Sequence, residues 1–135
     1  DIISTALISE NYAYIGGRSE ELDAYILKAY DMEGNHLLTF GEKGKDGDDW
    51  LAYVSQIMEI PEGFFGIDAN MRDLYIWGPD ASVLGSVEAP DLFGARYAWI
   101  AGAAKQDDGS ILVALTQDRD DDSATELLLY RLSGF

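Results

Sequence analysis

The run Asp118-Arg119-Asp120-Asp121-Asp122-Ser123-Ala124-Thr125-Glu126 is the densest cluster of potential ligand oxygens in the chain. Asp118, Asp120 and Asp122 alternate, with Glu126 beyond them. Carboxylates in such a run suit a hard cation, which gathers several oxygens at about 2.4 Å. A helix-loop-helix calcium site needs a Gly after the third Asp and a Glu about six positions beyond it. Ser123 and Glu126 meet neither requirement. The run therefore reads first as a solvated hairpin tip, with Asp118, Asp120 and Asp122 kept as the calcium candidates and no other cofactor expected.

The second group of candidates is cationic and aromatic. Arg18, Trp50, Arg72, Arg96, Tyr97 and Arg119 all fall in segments rich in Gly, Asp and Glu. Arg and aromatic side chains at the rim of a rigid scaffold are frequent interface anchors. The competing assignment is structural, with the same residues bracing loops through local ion pairs. His36 is the sole histidine and follows the Gly34-Asn35 turn, where it reads as a surface residue. Gly16-Gly17-Arg18 is no phosphate loop, because no helix follows to aim its amides at an anion. The Gly-rich acidic stretch Lys45-Asp46-Gly47-Asp48-Asp49 is a poorer cation site than the Asp118 run. No nucleophile, base and orienting group stand out as a convergent catalytic set.

Charge narrows the partners. The net charge is −16, and thirds of the chain (1–44, 45–89 and 90–135) carry −5, −7 and −4, so the acidity is spread rather than held in a tail. Such a field repels phosphate backbones and anionic headgroups, so neither nucleic acid nor membrane is expected as a partner. There are no cysteines, which removes disulfides and thiolate ligands from consideration. With 47% apolar residues the chain can bury a core, and no apolar run approaches the roughly 18 residues of a membrane span. The opening residues Asp1 to Ile8 read as a strand within a longer or processed chain, without the basic start of a signal peptide.

The elements that must position these residues are strands. Short apolar runs alternate with Gly, Asp, Asn and Pro turns, and helical periodicity is nearly absent. Three units align within a single domain, at about 1–44, 45–89 and 90–135. The first holds strands at Ile2–Ile8, Tyr12–Gly16, Ala24–Tyr30 and His36–Phe40. A loop at Gly17–Asp23 and a turn at Asp31–Asn35 connect them. The second holds Tyr53–Ile60, Phe64–Ile67, Asp73–Trp77 and Ser82–Val87. The third holds Tyr97–Ala104, Ser110–Thr116 and Glu126–Leu132, with no fourth strand. Repeated four-stranded units of this kind predict β-propeller blades, with a β-sandwich of the same eleven strands as the alternative. Three blades cannot close a ring, since propellers take about four to eight. Either further blades of a longer chain or a second copy must meet the open edges.

The motifs Asp31-x-x-Gly34, Leu37-Leu38-Thr39-Phe40-Gly41-x-x-Gly44, Pro61-x-Gly63 and Asp68-x-Asn70-x-Arg72 carry a resemblance. Over residues 24–88 the chain resembles the NHL-type and related six-bladed β-propeller families, which include bacterial secreted or lipid-anchored propellers of unknown role. It departs from them in the insertion Lys45 to Trp50 and in the tighter spacing of the Asp-Asn-Arg set. The resemblance implies half of a six-bladed propeller, located outside the cytoplasm. It also implies that the loops at 17–23, 42–52, 68–72, 88–96 and 117–125 gather at one end. The function it suggests is a non-catalytic binding or scaffolding module for a protein, peptide or glycan. Two alternatives are a metal-assisted hydrolase like the lactonase-type propellers, to whose ligands Asp68 and Asn70 are similar, and a structural half-ring that dimerises.

Overall fold

β-branched and aromatic residues at every second position make each apolar run a strand with two distinct faces. The structure, a computed structural model, describes residues 2–44, 50–94, 98–118 and 125–135. Eleven strands form three antiparallel sheets, each in simple sequential order. The first contains β1 (Ile2–Ile8), β2 (Ala13–Ser19), β3 (Ala24–Tyr30) and β4 (His36–Phe40). The second contains β5 (Val54–Ile60), β6 (Gly63–Asp68), β7 (Asp73–Trp77) and β8 (Val83–Glu88). A short helix, α1 (Ala89–Phe93), leads to the third, built from β9 (Ala98–Lys105), β10 (Ile111–Asp118) and β11 (Thr125–Leu132).

The second sheet is the middle layer. Along β6, Phe64 faces the first sheet and Phe65 and Ile67 face the third, so the strand is buried on both sides. Phe64 meets Phe40 edge-on at 5.2 Å, and Phe40 meets Trp77 at 5.0 Å, joining the first two sheets. On the other side Phe65, Ile67 and Leu74 pack with Ile111, Val113 and Leu115. Each fully buried side chain of this size is worth about 1.5–3 kcal/mol, which makes the two-faced β6 the main adhesive of the stack. The first strands of the sheets also approach one another, β1 beside β5 and β5 beside β9.

Close sheet packing explains one glycine. A Cβ at Gly66 would lie 2.3 Å from the ring of Trp77, which is fully buried and has nowhere to go. At one end of the stack a polar seam ties the layers. The Ser9 hydroxyl donates to Glu59 Oε1 at 2.6 Å, and Lys105 Nζ donates to the Glu59 carbonyl at 2.8 Å.

Three hairpin turns share one design. In Asp31–Asn35, Gly78–Ser82 and Gln106–Ser110 the first amide donates to the fifth carbonyl, and the fourth amide donates back to the first carbonyl. The fourth residue is left-handed each time: Gly34, Ala81 and Gly109, at φ 88°, 65° and 82°. An aspartate locks each turn. Asp31 accepts the amides of Glu33 and Asn35, while Asp80 and Asp108 accept from the amide and hydroxyl of Ser82 and Ser110. These hydrogen bonds hold all three carboxyls below their ordinary acidity range.

Expectation and structure differ in three places. Gly17, Arg18 and Ser19 were expected in a loop but extend β2, pairing with Ile26, Tyr25 and Ala24. Gln117, Asp118 and Thr125 likewise belong to strands, since the β10–β11 ladder continues to Asp118 opposite Thr125. The segment after Glu88 contains the helix α1, begun by Pro90 and closed by Gly94 at φ 64°.

Candidate functional site

The β2–β3 and β6–β7 connections, and the residues Trp50 to Tyr53 that lead into β5, lie at the end of the stack opposite the polar seam. There the first sheet and the lead-in to β5 enclose a cleft of about 340 Å³, walled by Ser4, Arg18, Asp23, Tyr25, Trp50 and Leu51. Arg18 projects from the end of β2 and pairs with Asp23 of the following turn. Both side chains are more than half exposed, so the pair orients the guanidinium without contributing much stability. Asp23 occupies the left-handed region at φ 48°.

Trp50 is exposed but its backbone is held from below. Leu51 is buried and bridges to Tyr25, and the Tyr75 hydroxyl donates to the Trp50 carbonyl at 3.4 Å. Asp68 supplies the main clamp. Its side chain is fully buried and accepts the amides of Ala52 at 2.5 Å, Tyr53 at 3.2 Å, Asn70 at 3.1 Å and Met71 at 3.0 Å. One carboxylate thus ties the lead-in to β5 onto the β6–β7 loop. With four amides filling its lone pairs, Asp68 is a brace rather than a ligand. Tyr25 rests beneath the same cleft, donating to the Thr5 hydroxyl at 3.1 Å, and burial pushes its own hydroxyl up.

Arg72 stands at the same end but elsewhere. It closes the β6–β7 turn at φ 59°, its carbonyl accepts the Ala89 amide, and its guanidinium lies 5.3 Å above the Trp99 ring. That cation–π contact joins the second sheet to the third. Next to it, Asp68, Asp73 and Glu88 sit side by side across three strands. Asp73 Oδ1 is buried without a partner, and desolvation, with help from Glu88 and Asp68, pushes this carboxyl up.

The structure therefore brings Arg18 and Trp50 into one cleft and places Arg72 apart, against Trp99. Arg96, Tyr97, Arg119, Asp120 and Asp122 lie outside the described residues. Asp118 is the last residue of β10, opposite Thr125, and Glu126 accepts a hydrogen bond from Gln117 at 3.1 Å. His36 is exposed on the edge strand β4, where its Nε2 lies 3.0 Å from the Leu38 carbonyl and the Thr39 hydroxyl. Among the described residues no three carboxylate or imidazole groups converge as metal ligands. Sequence reasoning missed Asp23 and Tyr25 as cleft residues. The signal was the Asp23 turn directly after a strand end, obscured by taking Gly17 to Asp23 as one loop.

Compared with models of known protein families the chain finds no match, and no curated protein sequence matches it either.

Proposed function

We propose that the chain is a non-catalytic binding module, a three-blade arc of a β-propeller that presents its loop end to a protein, peptide or glycan. The observation that carries this reading is the cleft shared by Arg18 of β2 and Trp50 of the lead-in to β5, which are held by Asp23 and Asp68. An exposed indole beside an oriented guanidinium offers a stacking surface and a fork of donors. The acidic background favours a partner with cationic groups around an apolar or planar centre. The propeller reading draws support from the layered sheets, their common loop end and the approach of β1, β5 and β9.

The test is a peptide and glycan array probed with the intact chain and with Arg18→Ala and Trp50→Ala. Hits that weaken about tenfold in either variant, with unfolding unchanged, are expected. Hits indifferent to both would remove the cleft from the function.

A second reading, self-association into a ring, has its own observation. The first and third sheets each pack one face on the middle sheet, and their outer faces carry exposed aliphatic side chains. Ile3 and Ile15 lie on the first, and Leu127 and Leu129, at 74% and 68% exposure, on the third. A second copy stacked sheet face on sheet face would cover both faces twice and close a six-sheet ring with two-fold symmetry. Sizing-column light scattering that finds only monomer at high concentration would remove it.

A further inference from the structure

The cleft at the loop end has both its walls within the chain, β1 to β3 on one side and Trp50 to Ala52 on the other. At about 340 Å³ it falls in the roughly 300–1,000 Å³ range of small-ligand sites. Main-chain groups along its floor are already engaged. Tyr25 pairs with Arg18 in the β2–β3 ladder and bridges to Leu51, and the Ala52 amide donates to Asp68. Recognition therefore falls to side chains, and these are of three kinds. Trp50 gives a flat apolar face, 43% exposed. Arg18 can only donate and Asp23 can only accept, and their contact holds the two side by side. Ser4 adds a hydroxyl to the wall, for it is the extra residue of a β-bulge, between Ile3 opposite Gly17 and Thr5 opposite Gly16.

We propose that the cleft binds a glycan through a pyranose ring, one that is neutral or carries an amine; this rests on the cleft being the binding site of the module. A pyranose has a face of C–H groups and a rim of hydroxyls. The C–H face stacks on Trp50, where the electron-rich face of the indole meets slightly positive hydrogens. Each hydroxyl both donates and accepts, so adjacent hydroxyls take an N–H from Arg18 and give an O–H to Asp23. An aliphatic or aromatic peptide side chain fills the stack but answers neither member of that pair, and a carboxylate or ammonium answers one member only. Local charge selects further. The turn that walls the cleft carries Glu20, Glu21 and Asp23 against Arg18. That excess of carboxylates repels a uronic acid and attracts an amine.

The probes are trisaccharides of glucosamine, glucose, galactose, mannose and glucuronic acid, titrated into the intact chain. Binding is followed by saturation-transfer NMR and by the indole N–H signal of Trp50. The C–H protons of one ring face should receive most of the saturation, and affinity should fall from the glucosamine probe through glucose to glucuronic acid. Trp50→Ala should weaken the best probe about tenfold at unchanged melting temperature, and Trp50→Phe less. Asp23→Asn keeps a residue that tolerates the left-handed position at φ 48°, and it should shrink the preference for glucosamine over glucose. No saturable binding of any of these sugars, binding indifferent to Trp50→Ala, or glucuronic acid bound best would overturn the inference. A Lys-rich peptide titrated in parallel separates the two levels of the account. If the peptide shifts the Trp50 signal and no sugar does, the cleft remains a binding site and the glycan is wrong. If neither shifts it, both fall.

Discussion

The Asp68 carboxylate meets the Ala52 amide at 2.5 Å, joining two segments far apart in sequence. That contact fixes where Trp50 emerges, and three further amides converge on the same side chain. Replacing Asp68 by Ala strands these donors, at a cost of about 2–4 kcal/mol. Asp68→Asn retains one acceptor oxygen and should cost less. Denaturant unfolding gives the stability, and faster exchange at Ala52 and Tyr53 reports release of the Trp50 segment.

Gly66 and Gly102 should respond oppositely to a methyl group. At Gly66 the new Cβ strikes the Trp77 ring, and overpacking at such a site costs about 1–3 kcal/mol. At Gly102 it meets nothing within 4 Å, so Gly102→Ala should stay within about 0.5 kcal/mol of the parent. Equal losses at both positions, seen in thermal unfolding, would contradict the seating of the Trp77 ring over Gly66 within the second sheet.

Asp73 and Asp80 should give opposite pH dependences. Asp73 has a raised acidity range in the folded state, so folding holds its proton longer than the unfolded chain does, and its charge weakens the fold as pH rises above 3.8. Asp73→Asn should therefore raise Tm by a few degrees at pH 7 and lose that advantage in acid. Asp80 is depressed by Ser82, so its contribution is present above 3.8 and disappears as pH falls through the folded value. Asp80→Ala should lower Tm at neutral pH, with a difference that shrinks in acid. Melting curves from pH 2.5 to 7 separate the two signs.

If the outer faces close a two-copy ring, a charge placed on either should prevent it. Ile15→Lys and Leu129→Lys alter exposed positions, so folding should persist while the mass falls from dimer to monomer. A parent that is already monomeric removes this expectation.

Local chemistry made much of the fold legible. Ala24–Tyr30, His36–Phe40 and Asp73–Trp77 form strands with the bounds their alternation suggests, because turn residues flank each of them. Gly17 to Ser19 misled, since Gly usually signals a loop. Here Gly16 leaves room for Tyr25, whose hydroxyl would lie 2.0 Å from a Cβ at that position. The α1 helix was readable from Pro90 and Gly94 but is too short to show periodicity. The site was less legible. Pattern alone could not reveal that Asp68 spends its oxygens on amides, or that Arg72 turns to Trp99 while Arg18 joins Trp50. Those outcomes depend on which strands become neighbours, a relation between distant segments.

The most direct measurement is an NMR chemical-shift map of the intact chain titrated with the strongest array hit. Perturbations centred on Arg18, Asp23, Tyr25 and Trp50, fading towards the Ser9–Glu59–Lys105 seam, are expected. A map centred on that seam, with the cleft residues unmoved, would contradict the assignment of binding to the loop end.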